Sequence, residues 1–253
     1  EAQNPDEQVF IEFYAGLGRT AARAASKHGV IAIPIDRQKD AAWDLHVEGV
    51  VPFITSKLSQ KKVRGAHLGT ECKSFSPARH GKPGGNTPRA LRDYGENAWG
   101  FPDLCEKDQA LVVAGNKDAR LTIELIDKFE KHLVPISVEN GDGSILWHLP
   151  ELKERLERAR IFKVDYCMMG RKFRKRTRLA VWGSKNKRVA DQVAKQCSGR
   201  YHCLSKKGRC CRTGSPHQLL RGWIRGKALT SNGNAYPRKF ANLIVKLLCS
   251  GEG

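Results

Sequence analysis

The sequence predicts an α/β fold with a parallel, doubly wound sheet. Short β-branched and aromatic runs alternate with helical patterns through the first 160 of 253 residues. That alternation calls for parallel strands covered by helices on both faces. A glycine turn follows the first run directly, and several reactive residue types stand just after later runs. In such sheets ligands bind beyond the carboxyl ends of the strands.

In chain order, VFIEFY (9–14) is a first strand that ends in AGLG, and RTAARAASKHG is a helix closed by Gly29. VIAIPID (30–36) is a second strand, AAWDLHV a third strand or edge segment, VVPFITSKLSQKK a helix and VRGAHLGT (63–70) another strand. From Cys72 to about Asp103 the chain is rich in Gly, Pro, Arg and Asn, a loop long enough to be functional. Residues 105–133 form a long amphipathic helix with a break near Gly115, and LVPISVEN (133–140) is a buried strand. ILWHLPELKERLERAR is a helix whose proline marks its first turn, and IFKVDYC and TRLAVWG (177–183) are two further strands.

The charge narrows the partners. Lys and Arg number 45 against 26 Asp and Glu, a net +19, concentrated in KKVR (61–64), RKFRKRTR (171–178), KNKR (185–188) and SKKGR (205–209). Clustered cations gain by releasing phosphate counterions, so the expected partner is nucleic acid. Lys206, Lys207 and Arg209 are the expected contacts, among neighbours Arg200 and Arg212. No apolar run is long enough for a membrane span, and the N-terminus has no signal-peptide pattern. The missing initial Met marks the chain as a fragment, a processed product or a domain of something longer.

The eight cysteines have no secreted-domain rhythm, so an intracellular, reduced protein is expected, nuclear if eukaryotic. Cys197, His202, Cys203, Cys210, Cys211 and His217 share one basic segment. Their spacing has no C-x2-C pair, and it favours a loop of reduced thiols over a zinc centre.

Three sites carry chemistry. Phe13, Tyr14, Ala15, Gly16, Leu17 and Gly18 make a strand-to-helix turn that lets backbone approach a cofactor. Asp36, eighteen residues past Gly18 at the end of the next strand, suits a ribose diol, and Asp44 and Leu45 could flank the base. Together they point to a nucleoside-bearing cofactor; position 21 is Ala, not the third glycine of a dinucleotide fingerprint. Cys72 follows a strand and opens the basic loop, a setting for a nucleophilic thiol near Lys73 and Arg79. Glu139 ends a buried strand, where a carboxyl needs a partner or a task; protonated, it could hydrogen-bond a ring nitrogen.

In this order, FYAGLG, ECKSFS, VEN, Arg176-Thr177-Arg178 and the closing Gly233-Asn234-Ala235-Tyr236-Pro237 resemble motifs of the S-adenosylmethionine-dependent cytosine 5-methyltransferases. The resemblance covers roughly residues 9–183 and 228–248, and extends to divergent methyltransferase-like domains within mobile-element polyproteins. It implies a Rossmann-like methyltransferase sheet. The catalytic core would span 9–183, a small basic Cys-rich target-recognition segment 184–228, and a C-terminal helix returning to the core 229–248. It further implies that Cys72 attacks C6 of an extruded cytosine, that Glu139 holds N3 and the exocyclic amine, and that Arg176 and Arg178 steady the base and the nucleophile loop. Asn234 would join the cofactor site, and Ser76, Arg79 and Arg89 would meet phosphate or base. DNA is favoured over RNA on the resemblance alone.

The sequence departs from the family at Glu71, where Pro is usual, at Lys73 for Gln and at Gly141 for Val. Glu71 should raise the thiol pKa unless Lys73 or an arginine offsets it. The rival readings are a catalytically weakened nucleic-acid-binding module and, further off, a nicotinamide-dependent oxidoreductase.

Overall fold

The structure is a computed structural model that describes residues 8–16, 20–27, 29–38, 40–79, 89–205, 208–220, 223–224, 227–228 and 235–251. Strands β1 (Val9–Phe13), β2 (Ile31–Ile35), β3 (Val63–Leu68), β4 (Ile136–Gly141), β5 (Arg160–Asp165) and β6 (Arg176–Trp182) form one sheet, in the order β2-β1-β3-β4-β6-β5. The chain is α/β, but the sheet is mixed rather than wholly parallel. β1 to β4 pair in parallel, whereas β6 runs antiparallel to both β4 and β5. The reason is the short connection 166–175 between β5 and β6: a parallel return needs a longer crossover, an antiparallel one does not.

Side chains alternate across the strands and feed two cores. Ile11, Phe13, Leu68, Ile136 and Val138 pack against α2 (Val50–Ser59), α3 (Glu106–Lys131) and α4 (Pro150–Leu156). Phe10, Phe162, Leu179 and Val181 pack on the other face against α1 (Thr20–Lys27), α5 (Lys187–Ser198) and α6 (Arg238–Cys249). Period-2 alternation with apolar residues on both faces is what a sheet between two helix layers requires.

Two elements differ from expectation, and two are resolved more finely. Residues 41–43 are a single 3-10 turn capped by Asp40, not a strand. The helix within 145–160 takes its first turn at Pro150, as expected, and Ile145–His148 before it form a separate 3-10 turn, with Leu149 extended between them. α3 runs unbroken through Gly115. The 184–228 segment begins with α5 (Lys187–Ser198), whose Ala190, Val193 and Cys197 belong to the sheet's second core.

α6 lies close on β3: a Cβ at Gly65 would come within 3.0 Å of Leu248. This docking carries Tyr236, just before α6, to the carboxyl end of the sheet. β1 lies between β2 and β3, so the strand order reverses there. The crevice between the turn after β1 and the loop after β3 is the topological switch point.

Candidate active site

On the β1 side of the crevice the chain turns sharply. Tyr14 and Gly16 both hold positive φ (54° and 58°), a strained state for Tyr14. The Tyr14 hydroxyl donates to the Asp118 carbonyl on α3. Ala15 N–H donates to the Ile35 carbonyl, and Gly16 N–H donates to Asp36 Oδ2 at 2.7 Å. Asp36 Oδ1 accepts from Gln38 N–H at 2.7 Å. Asp36 thus ties the turn to the end of β2, and each oxygen keeps a further lone pair for a ligand hydroxyl. A Cβ at Gly16 would meet nothing within 4 Å, so the turn's backbone is open on that side.

Glu12, in the middle of β1 and almost fully buried, accepts from Ala21 N–H (3.2 Å) and Ala22 N–H (2.8 Å). A carboxylate therefore already caps the start of α1. A pyrophosphate would need those donors and would meet a like charge, so the site disfavours a dinucleotide. Phe13 is packed in the core edge-on to Phe129, and Leu45 is buried in the same core, so neither side chain faces the crevice. Asp44 caps His46 N–H (3.0 Å) and lies 4.0 Å from Arg37. Leu17, Gly18 and Asn234 lie outside the described residues.

Across the crevice, the Cys72 loop is braced from behind. Phe75 is fully buried, and its N–H donates to the Cys72 carbonyl. The Arg92 guanidinium lies 3.8 Å from the Phe75 ring centroid and donates to Ser74 Oγ, Asn116 Oδ1 and the carbonyls of Ala98 and Val112. Burial lowers the Arg92 pKa to about 10, which still leaves it charged at neutral pH. Gly115 makes this packing possible: a Cβ there would sit 2.2 Å from Ser74 Oγ and 3.1 Å from Arg92. Gly115, expected to break the helix, is the point where the Cys72 loop meets α3.

Cys72 is half-buried, and burial is the strongest influence pushing its thiol above the ordinary pKa. Lys175 pulls it back down, while Glu139 and Glu71 push it up. Glu71 does stand against the thiol as expected. Its Oε1 accepts the Cys72 N–H, and its Oε2 pairs with Lys73 at 3.2 Å.

Glu139 is 6% exposed; Lys175 Nζ lies 3.4 Å and the Tyr236 hydroxyl 3.1 Å from its carboxylate, and the Tyr166 hydroxyl is turned towards it as well. Behind Tyr236 stands His67, Nε2 to hydroxyl 3.1 Å, and behind His67 Nδ1 stands Ser137 Oγ at 2.9 Å. His67 and Ser137 are direct partners in the β3–β4 ladder. Burial lowers the His67 pKa to about 3, so the ring is neutral. Burial, then Glu139, holds the Tyr236 hydroxyl well above its usual range, so it stays a donor. The donors then run one way: Ser137 to His67 Nδ1, Nε2–H to Tyr236, and Tyr236 to Glu139. Gly69 is needed here as well, since a Cβ would lie 2.6 Å from the Tyr236 hydroxyl. Asn140 donates to the Thr70 carbonyl at 3.0 Å and so joins the ends of β3 and β4.

Arg176 and Arg178 start β6 at this end of the sheet, but both converge on Asp142. Arg178 Nε lies 2.9 Å and Arg176 Nε 3.4 Å from its carboxylate, with Lys163 at 3.1 Å. Burial alone would raise the Asp142 pKa; bonds from Lys163 and Arg178 outweigh it and hold the carboxyl below its usual value. Arg176 also reaches Asp165 (3.7 Å) and His202 (3.2 Å), and Arg178 lies against Trp147. The residue that contacts Glu139 and acts on the thiol is Lys175, which the sequence pattern did not single out. A Cβ at Gly141 would meet open space, so packing does not explain that departure.

Arg79 and Arg89 border the undescribed stretch 80–88. Arg79 donates to the Arg89 carbonyl and lies 3.7 Å from Asp108; Arg89 pairs with Asp103 at 2.7 Å. Ser76 Oγ accepts from Ala78 N–H. Arg209, near the start of the turn that carries Cys210, donates to the Gly214 carbonyl, and Lys206 and Lys207 lie outside the described residues. Among the described residues no helix is long and apolar enough to cross a membrane.

The chain matches no family model and no curated protein.

Proposed function

We propose that the chain is an S-adenosylmethionine-dependent methyltransferase acting on C5 of cytosine in nucleic acid, DNA in preference to RNA, through a covalent Cys72 adduct. The observation that carries this reading is the Cys72 thiol set within the fields of Glu139 and Lys175 at the carboxyl ends of adjacent strands. The open turn at Gly16, the Asp36 carboxylate and the acidic cap on α1 fit a nucleoside cofactor without a pyrophosphate. Bound there, S-adenosylmethionine would supply an electrophilic methyl group.

The chain's own residues would do the rest. Glu139, fixed by Tyr236, would accept the Cys72 proton, directly or through water, and present it to N3 of an extruded cytosine. Losing the Glu139 charge removes one of the influences that raise the thiol pKa, so the two events favour each other. The thiolate would bond to C6, and the C5–C6 π pair would move to C5, which takes the methyl group. Loss of the C5 proton to a water molecule and cleavage of the S–C6 bond would restore the aromatic ring and free Cys72 as a thiolate, which would take back its proton from N3 through Glu139. Lys175 would stabilise the anion on either side of the proton transfer. The net +19 charge would hold the polyanion.

Incubation with methyl-labelled S-adenosylmethionine and unmethylated DNA, hemimethylated DNA or RNA tests the reading. Label recovered as 5-methylcytosine supports it, and no transfer to any substrate refutes it. Glu71, which pushes the thiol pKa up, favours a second reading as a nucleic-acid-binding module of the same fold. That reading predicts salt-sensitive binding without transfer.

A further inference from the structure

We propose a structural zinc site formed by Cys167, Cys203, Cys210 and His217. Their ligand atoms all lie within 4.8 Å of one another, and Cys203 Sγ is 3.8 Å from His217 Nε2. A tetrahedral zinc with bonds of about 2.0–2.3 Å to N and S sets its ligand atoms roughly 3.5–3.8 Å apart. A modest contraction around one ion therefore closes the site. All three thiols are buried and His217 is half-buried.

Three local turns bring the ligands together. Cys167 lies in the 3-10 turn Tyr166–Met169 after β5, ended by Gly170 at φ 102°. Cys203 follows α5, and its N–H donates to Asp165 Oδ2 at 2.8 Å. Cys210 and His217 flank a small loop closed by the Arg209–Pro216 bridge and by His217 N–H to the Gly208 carbonyl. The spacing is Cys203-x6-Cys210-x6-His217, and the fourth ligand comes from 36 residues upstream of Cys203. The sequence alone favoured no metal because that spacing holds no C-x2-C pair, and the distant Cys167 was not among its candidates. Cys197 is buried on α5 and Cys211 is exposed beside Met168, outside the group.

A second observation points the same way. Residues 199–220 expose Leu204 and Leu219, and the cluster in which Cys203 and Cys210 are buried consists of these three thiols with Met168 packed on it. A segment with so little apolar core needs a staple, and a zinc ion supplies one. On binding, the three thiols release their protons to solvent and three Zn–S bonds and one Zn–N bond form, with no redox change. The site also braces the candidate active site, because Asp165 holds Cys203 on one side and Arg174 and Arg176 on the other.

The test is elemental analysis of the full chain purified without chelator, with cobalt substitution. We expect one equivalent of zinc per chain, and tetrahedral d–d bands with thiolate charge transfer for the cobalt form. Cys203→Ser and His217→Ala should lose the metal. Cys105→Ser should keep it, and His217→Cys should keep it with a shifted cobalt spectrum. If the ligand variants fail to fold, thiol alkylation of the unmutated protein decides: Cys167, Cys203 and Cys210 should be protected until chelator is added, while Cys105 and Cys211 react at once. Zinc absent, alkylation unaffected by chelator, a disulfide among the three cysteines, or iron with acid-labile sulfide would each overturn the proposal.

Discussion

The chain surrounds its cysteines in two very different ways. Cys72 is half-buried, within the fields of Glu139 and Lys175, on a loop braced by Phe75, Arg92 and Gly115. Cys167, Cys203 and Cys210 stand together with a histidine, their ligand atoms within 4.8 Å of one another. The first setting places charges that a proton transfer can rebalance; the second offers converging lone pairs. Thiol chemistry here is set by the neighbours that each strand end or turn delivers, not by the cysteine-rich stretch of sequence.

The largest effect should come from the partner of Cys72. In the proposed mechanism Glu139→Gln removes the proton acceptor and leaves a permanent amide in its place, so methyl transfer should fall about 10²–10⁴-fold. A steady-state transfer assay reads it, and a fall of less than about tenfold would remove Glu139 from the proton transfer. Next comes the brace. Gly115→Ala gains about 1 kcal/mol of helix propensity but loses roughly 1–3 kcal/mol to overpacking against Ser74. We expect net destabilisation in a denaturant melt and poorer adduct formation; a more stable, fully active variant would show that the loop does not depend on this contact.

Protonation gives a third test. His67 titrates near 3 in the fold and near 6.5 when unfolded. Its stabilising contribution is whole above 6.5 and is lost progressively as pH falls from there towards 3. Between pH 6.5 and 5 the loss should be about 1.6 kcal/mol, read from denaturant unfolding. His67→Asn should flatten that slope, and an unchanged slope would break the Ser137–His67–Tyr236 arrangement. The smallest effect is on the thiol itself. Lys175→Met should raise the Cys72 pKa and slow its alkylation at neutral pH, and Glu71→Gln should lower it and speed alkylation, each by about three- to tenfold. Alkylation rates across pH on the Cys72 peptide measure both, and the cysteines of the cluster serve as the internal contrast.

The strands and the order of their ends were legible because buried runs such as VFIEF and ISVEN announce themselves by β-branched and aromatic content, whichever fold follows. Cys72 and Glu139 were legible because each closes or follows such a run. The antiparallel direction of β6 was not, since apolar pattern carries no direction and only the short 166–175 connection settles it. Lys175 was hidden within RKFRKRTR, where composition cannot say which cation turns inward. His67 and Ser137 left only a faint signal, one polar residue in each of two buried strands, and their pairing depends on register. Tyr236 lies within the closing 233–237 motif, yet its partners depend on how α6 docks on β3. Cys167 was unreadable as a ligand because its partners lie far along the chain.

The central claim is a transient bond between Cys72 and a cytosine ring. A duplex carrying 5-fluorocytosine, with S-adenosylmethionine, cannot release the enzyme once methylated, since fluorine blocks loss of the C5 substituent. The account predicts a denaturation-resistant complex whose crosslinked peptide contains Cys72, and none with Cys72→Ser. No complex under these conditions, or equal amounts with the Cys72→Ser protein, would contradict it.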